Sequence, residues 1–332
     1  MCGIVGYVGG QDATQVVVEG LRRLEYRGYD SAGVAVVTPV GVQSRKRAGK
    51  LANLEKALAE APLPDTTVGI GHTRWATHGA PNDVNAHPHL SEDGSLAVIH
   101  NGIIENFAEL RSLLQADGVT FLSETDTEVA AHLLAKMVGE TGSLTQAMQA
   151  TCRQLRGAFT LVAASAEDPD TLVGARRNSP LVVGLGDGET FLASDVSAFI
   201  AHTRRAMELG QDQVITITRE GVEVTDFDGV PADGVEYEVT WDASAAEKAG
   251  YDLFMLKEIA EQPKAVADTL LGRITDDNRL VLDGLTISDT ELREIDKIVV
   301  AACGTAYHAG LVAKYAIEHW TRIPVEVELA SE

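Results

Sequence analysis

Apolar residues recur along the chain in two rhythms. Short, nearly continuous apolar runs, the kind that strands buried on both faces produce, occupy residues 4–8, 33–38, 68–72, 96–100, 158–164, 171–175, 181–185, 190–193 and 213–218. Between them, apolar positions fall three and four apart over 13–24, 53–60, 104–116, 127–138 and 143–155, the spacing of helices that bury one face. Pro62 and Pro64 close the second of these helices. Buried strands flanked by pairs of helices predict sheets covered on their outer sides, a layered α/β arrangement whose strand order the pattern does not carry.

The rhythm changes near residue 226. Over 226–249, Asp, Gly, Glu and Ala replace the regular strands, and this stretch is expected to be a linker. A helix is predicted over 251–262, interrupted or restarted at Pro263. A strand (297–302), a turn at Cys303-Gly304-Thr305, a helix (307–320) and a second strand (324–329) then spell one βαβ unit. Two parallel strands and one helix leave a sheet face uncovered. The expectation is therefore a complete first domain followed by the opening of a second, truncated one.

Composition narrows the function classes. A chain of 332 residues suits about two domains of ~100–200 residues each. No run approaches ~18 consecutive apolar residues, and no basic segment leads into an apolar one at the start, so neither a membrane span nor a secretory signal is predicted. A formal net charge of −22 argues against nucleic acid as a partner, because an acidic surface repels a polyanion. Cys2, Cys152 and Cys303 are too few and too dispersed for a disulfide framework, and no CxxC pair suggests zinc. Together these features predict a cytoplasmic protein.

Cys2 carries the sharpest chemical implication. If Met1 is removed, Cys2 carries a free α-amine beside its thiol, and an amine titrating near ~7.7–8.0 can act as base for a thiol titrating near ~8.5. The bland reading is an incidental cysteine at a chain terminus. Further clusters of polar and aromatic residues sit between predicted elements: Arg22 to Gly33 from a helix end into a strand, Gly71 to Gly79 and His100 to Asn106 after strands, and Ser123 to Glu128 at a helix start. Each has a structural alternative. Asn101-Gly102 is also the strongest short hairpin signal. Thr125 and Glu128 fit a capping box, which would make Asp126 an ordinary helix-start residue. Arg74 reads equally as a surface arginine, and Trp75 as packing. Five histidines, His72, His78, His87, His89 and His100, raise the question of a metal. His87 and His89 would share one face of a strand, but the spacings fit no common zinc motif and no metal is expected.

Taken together, MCGIVGY, RRLEYRGYDSAG, GHTRWATHG, VNAHPH, HNGIIEN, SETDTEV and CGTAYHAG, in this order, resemble the glutamine amidotransferases with an N-terminal nucleophile. Within that group the chain resembles the isomerizing glutamine–fructose-6-phosphate amidotransferases, which make glucosamine 6-phosphate. RLEYRGYDSAG in particular resembles them rather than the purine-biosynthetic or asparagine-synthesising relatives. The resemblance covers essentially the whole chain.

It implies a four-layer αββα sandwich of the N-terminal-nucleophile hydrolase type over 2–240, a linker and helical segment over 241–296, and, over 297–332, the first βαβ unit of a doubly wound sugar-isomerase (SIS) domain. It implies that Cys2 attacks the side-chain amide of glutamine to form a γ-glutamyl thioester, with Asn101 Nδ2 and the Gly102 backbone N–H as oxyanion donors. Such donors are worth on the order of 10²–10³ in rate each. Arg74 would clamp the α-carboxylate and Asp126 the α-ammonium. Trp75, Thr77 and His78 would belong to a loop closing over glutamine, and Arg27 would order the site. No cofactor is implied.

The same resemblance gives Gly304 and Thr305 to the phosphate of fructose 6-phosphate, at a strand-to-helix turn whose free N–H groups suit an anion. Ala306 stands where the family often has serine, which removes one hydroxyl from that site. The remaining sugar-handling groups would lie past Glu332, so this chain is expected to hydrolyse glutamine without making the amino sugar, and the full-length form is expected to be a homodimer. The competing class is a non-catalytic sensor of glutamine or sugar phosphate.

Overall fold

The computed structural model describes residues 2–76, 78–240, 251, 253–270 and 287–331. The chain divides into two compact units, residues 1–257 and 258–332.

In the first unit the chain runs β1 (Gly3–Val8), α1 (Ala13–Leu24), β2 (Ser31–Thr38), β3 (Gly41–Ala48), α2 (Leu51–Glu60), β4 (Val68–Arg74), β5 (His89–Leu90), β6 (Leu96–Ile104) and α3 (Phe107–Ala116). It continues through α4 (Asp126–Thr141), α5 (Leu144–Gln154), β7 (Gly157–Ser165), β8 (Asp168–Arg177), β9 (Val182–Leu185), β10 (Thr190–Ala193), β11 (Arg205–Glu208), β12 (Gln213–Ile217), β13 (Val222–Asp226) and β14 (Val235–Glu238). The strands form an eight-stranded sheet, β14-β11-β9-β10-β1-β4-β2-β3, and a six-stranded sheet, β13-β12-β8-β7-β6-β5.

Three apolar clusters show how the layers stack. Successive strand residues point to opposite faces. In β1, Val5 and Tyr7 meet α1, together with Val17 and Leu21. Ile4 and Val8 point the other way, into a cluster with Ala97, Ile99, Val162 and Leu172 of the second sheet. In β6, Leu96 and Val98 meet α3, α4 and α5 through Leu110, Leu133 and Met148. The order is therefore helices, sheet, sheet, helices, the expected αββα sandwich. Helix α1 starts at Asp12, whose side chain accepts from Thr14 N–H, and α4 starts at Thr125, whose hydroxyl accepts from Glu128 N–H. Each cap contributes roughly 1 kcal/mol.

Several sequence expectations need correction. Strand β3 carries Ser44, Arg45, Lys46 and Arg47 and gives no apolar run, because it is an edge strand paired only with β2; charge on an edge blocks pairing with other chains. The helix expected from 104 begins at Phe107, because β6 continues to Ile104, paired with Gly157. Within the expected linker 226–249, residues 235–238 form β14, an exposed edge strand on β11. Helix α6 (Phe254–Leu270) runs through Pro263 instead of breaking there. Of the expected linker and helical segment, residues 241–250, 252 and 271–286 lie outside the described residues.

In the second unit α7 (Asp289–Glu294) opens on a capping box between Ser288 and Glu291. Strand β15 (Ile298–Ala302), α8 (Gly304–Thr321) and β16 (Val325–Leu329) make the expected βαβ unit, with the two strands parallel. Helix α8 begins at Gly304, so Cys303 is its cap and not a turn residue.

Candidate active site

Strand alternation places the candidate groups. Cys2 lies two residues before Ile4, Asn101 two after Ile99, and His72 and Arg74 two and four after Ile70; all three of those isoleucines belong to the layer between the sheets. Cys2, His72, Arg74 and Asn101 therefore enter the gap between the sheets at one end, where the apolar filling stops. There a cavity of about 280 Å³ is lined by Cys2, Arg27, Arg74, Trp75, His78, Asn101, Gly102 and Asp126, with His87, His100, Ile103, Thr125, Thr127, Ser179 and Pro180 completing the wall. Of the glutamine-site candidates only Thr77 is missing from this set, and it lies outside the described residues, as does Met1. Gly304 and Thr305 are exposed at the start of α8 in the second unit.

Cys2 Sγ accepts a hydrogen bond from Trp75 N–H at 3.1 Å. Burial pushes the Cys2 thiol above its ordinary value, and the Trp75 N–H and Arg74 oppose that rise by favouring the thiolate. The Cys2 carbonyl accepts from Asn101 Nδ2 at 3.0 Å, and Asn101 Oδ1 lies 2.9 Å from His72 Nε2. An asparagine amide has two N–H bonds, so one remains for a ligand oxygen. Asn101 and Gly102 are not a hairpin turn: both sit within β6, paired with Thr160 and Phe159. Gly102 has φ +124°, and a Cβ there would come 2.0 Å from the Ala158 carbonyl oxygen. Only glycine fits at this strand position beside the nucleophile.

Arg74 is 4% exposed, so the surface reading fails. Its guanidinium donates to the carbonyl of His78, and weakly to those of Gly79 and Ala80 at 3.4 and 3.5 Å, holding the loop after β4 against the cavity. Trp75 is half exposed on the rim, edge-on to Tyr29 at 5.3 Å. His78 sets its ring edge-on to Phe107 at 5.1 Å. Arg27 pairs with Asp195 and donates to the Tyr26 hydroxyl.

Asp126 lies both at a helix start and in the cavity wall. It is the first residue of α4, where the helix dipole favours a carboxylate, and it is a buried wall of the cavity. Its Oδ2 accepts from Ile104 N–H at 2.9 Å, and its Oδ1 lies 3.9 Å from His100 Nδ1. Burial holds His100 below its ordinary value, which weakens this contact as an ion pair. The capping box is only half formed. Glu128 reaches past the cap, and its carboxylate accepts from Leu122 N–H at 2.8 Å and from Ser123 N–H and Oγ at 2.7 Å each.

The histidines form an organised group, not a ligand set. The His72 and His87 ring centroids are 4.2 Å apart and those of His87 and His89 5.1 Å. His89 Nε2 bonds Thr125 Oγ1 and His100 Nδ1 bonds Thr127 Oγ1, each at 3.0 Å, so two rings lock the start of α4. Burial drives His72 down to about 3 and holds His87 and His89 well below the ordinary range. Among the described residues no three His, Cys, Asp or Glu side chains converge as metal ligands would, and no helix is long and apolar enough to cross a membrane.

Residues that the sequence reading passed over also shape the site. Asp30, inside the EYRGYD run, accepts from Ala76 N–H and anchors the loop beyond Trp75. Asp195 holds Arg27. Ser179 and Pro180 close the cavity from the loop after β8, with no signal in their neighbourhood to announce it.

Residues 59–232 match the family model described as a glutamine amidotransferase domain. The chain belongs to the glutamine amidotransferases. This amidotransferase also matches, over residues 291–332, the model described as an SIS domain. It is 68% identical over 332 residues to the glutamine–fructose-6-phosphate aminotransferase (isomerizing) of Streptomyces coelicolor, covering 100% of this chain and 54% of the relative. It is 61% identical over 340 residues to the enzyme of the same name from Corynebacterium efficiens, covering 100% and 55%. The amidotransferase chain thus spans about half the length of the curated relatives it matches. Among solved structures, the glutamine phosphoribosylpyrophosphate amidotransferase of B. subtilis superposes with TM-score 0.61 at 20% identity, covering 98% of this chain and 65% of that one. That likeness shows a shared fold. A structure titled as the allosteric regulatory enzyme of purine biosynthesis gives TM-score 0.59 at 26% identity, covering 68% and 49%.

Proposed function

We propose that the first unit hydrolyses glutamine and that the whole protein passes the released ammonia to fructose 6-phosphate, forming glucosamine 6-phosphate. The observation carrying this reading is that Cys2 Sγ, Asn101, Arg74 and Asp126 meet in one cavity of amino-acid size. In the proposed reaction the Cys2 sulfur bonds to the glutamine side-chain carbonyl carbon. The thiol proton passes to the Cys2 α-amine, which is free only after Met1 is removed. Asn101 Nδ2 and Gly102 N–H receive the negative oxygen. Collapse of the tetrahedral intermediate breaks the C–N bond, and the proton on the α-amine leaves with the nitrogen as ammonia. Water then cleaves the thioester, releasing glutamate and restoring the thiol.

Arg74 binds the glutamine α-carboxylate with the donors that now meet loop carbonyls, and Asp126 binds the α-ammonium through Oδ1. Trp75, Thr77 and His78 form the covering loop, and Arg27, fixed by Asp195, orders the mouth. Residues 2–240 form the glutamine-hydrolysing domain, 241–296 the linker and helical segment, and 297–332 the opening of the SIS domain, where Gly304 and Thr305 meet the sugar phosphate. The whole protein is a cytoplasmic homodimer on this reading, which rests on the family resemblance.

The test is direct. The chain incubated with glutamine should release glutamate and ammonia in equal amounts, and Cys2→Ala should release neither. Glutamine bound but recovered unchanged would replace this reading with that of a sensor.

A further inference from the structure

An asparagine side chain is nearly symmetric in outline, and its carbonyl and amino ends can exchange by a half-turn. The chemistry above needs the amino end of Asn101 toward the reaction centre, so something must hold it there. We propose that His72 is the positioning residue that locks the Asn101 amide with Nδ2 facing Cys2. The inference rests on the amidotransferase reading and adds to it a residue that the cavity wall does not include.

His72 sits in β4 with its ring fully buried in the layer between the sheets. Its Nε2 is 2.9 Å from Asn101 Oδ1, on the side of the amide opposite the 3.0 Å bond from Nδ2 to the Cys2 carbonyl. Since Nδ2 must donate to that carbonyl, Oδ1 faces His72 and can only accept. His72 must therefore carry its hydrogen on Nε2. His72 Nδ1 is buried and makes no well-formed hydrogen bond among the described residues, although the His100 backbone lies near the ring. A bare lone pair there costs less than an unmatched N–H. Burial keeps the ring neutral near neutral pH, and packing against the His87 ring, tilted by 32° with centroids 4.2 Å apart, restrains its plane. If the amide turned over, its NH₂ would face the Nε2 hydrogen and its oxygen the Cys2 carbonyl, two repulsive contacts in place of two bonds.

His72→Phe keeps the ring and its packing and removes the donor, whereas His72→Gln restores an N–H on a chain of similar reach. Loss of orientation forfeits part of the ~10²–10³ that one oxyanion donor supplies, so His72→Phe should lower kcat for glutamine hydrolysis by ~10–100-fold. KM should move less than about threefold, because ground-state binding is untouched. His72→Gln should recover most of the loss. The double variant His72→Phe/Asn101→Ala should be no slower than Asn101→Ala alone, since the positioned amide is gone. An unchanged kcat in His72→Phe, or losses that multiply in the double variant, would overturn the inference, because a merely structural role gives one or the other.

A second readout needs no turnover and no variant. ¹⁵N spectra of the wild-type ring should report a neutral imidazole protonated at Nε2. A ring protonated at Nδ1 or at both nitrogens overturns the inference. An Nε2–H ring in a wild-type chain that cannot hydrolyse glutamine instead counts against the amidotransferase reading and leaves the lock supported.

Discussion

Replacing Gly102 with alanine perturbs the site by one methyl group, and the structure sets the size of the effect. Gly102 pairs with Phe159 between β6 and β7, at φ +124°. The new Cβ would lie 2.0 Å from the Ala158 carbonyl oxygen, while real Cβ atoms essentially never come within 3.0 Å, so the strands must part by about 1 Å. Backbone strain at that φ costs ~1–3 kcal/mol and overpacking against a fixed carbonyl another ~1–3, roughly 2–6 kcal/mol together. At ~2–4 °C per kcal/mol, Tm should fall by about 4–24 °C. Displacing the Gly102 N–H by ~1 Å from the developing oxyanion should cost about 10²-fold in kcat. Thermal unfolding followed by circular dichroism gives the first number and glutamate release at a temperature well below the transition gives the second. Gly118→Ala is the control, because Gly118 also has φ +96° but nothing lies within 4 Å of its Cβ position. It should lose only the strain component and keep its activity. Wild-type Tm and kcat in Gly102→Ala would refute both the steric argument and the oxyanion role.

Asp126→Asn should raise KM for glutamine and lower kcat/KM by ~10–150-fold, the value of ~1.5–3 kcal/mol for a hydrogen bond to a charged group, while Ile104 N–H keeps its acceptor; unchanged steady-state kinetics would remove Asp126 from the ammonium site. Glu128→Gln tests the start of α4 by pH. Burial pushes that carboxyl up, but His132 and the N–H and hydroxyl donors of Leu122 and Ser123 outweigh it and hold the group at about 2. A depressed folded value stabilises the protein above the unfolded value of ~4.3 and loses that contribution as pH falls toward 2. Urea titrations should therefore show wild type ahead of the variant by ~1.5–3 kcal/mol at pH 7 and the gap closing on acidification. A gap independent of pH would contradict the assignment.

The elements were legible where burial was two-sided. Strands β1, β6, β7, β10 and β12 are near-continuous apolar runs because both faces are covered. Strands β3 and β14 were missed for the opposite reason, since RKR and VEYE carry the polar side chains that edges demand. Most of the cavity wall was legible through motif order, because the motifs lie at the ends of β1, β4 and β6 and at the start of α4. The supporting groups were not. Nothing local distinguishes Asp30 or Asp195 as the partner of Ala76 N–H or Arg27, and the bond between His72 and Asn101 spans 29 positions that only sheet packing closes. The reading of Asn101-Gly102 as a turn failed because Gly102 spends its freedom on a twisted strand residue instead of a hairpin corner.

The central claim is that the sulfur of Cys2, at the processed start of the chain, is the group that bonds to glutamine. Intact and peptide mass analysis after exposure to a glutamine-mimicking electrophile tests it most directly. The account predicts a chain beginning at Cys2, a single adduct on that residue, and protection by added glutamine. Methionine retained in the active material, or labelling that falls on Cys152 or Cys303 while Cys2 stays free, would contradict it.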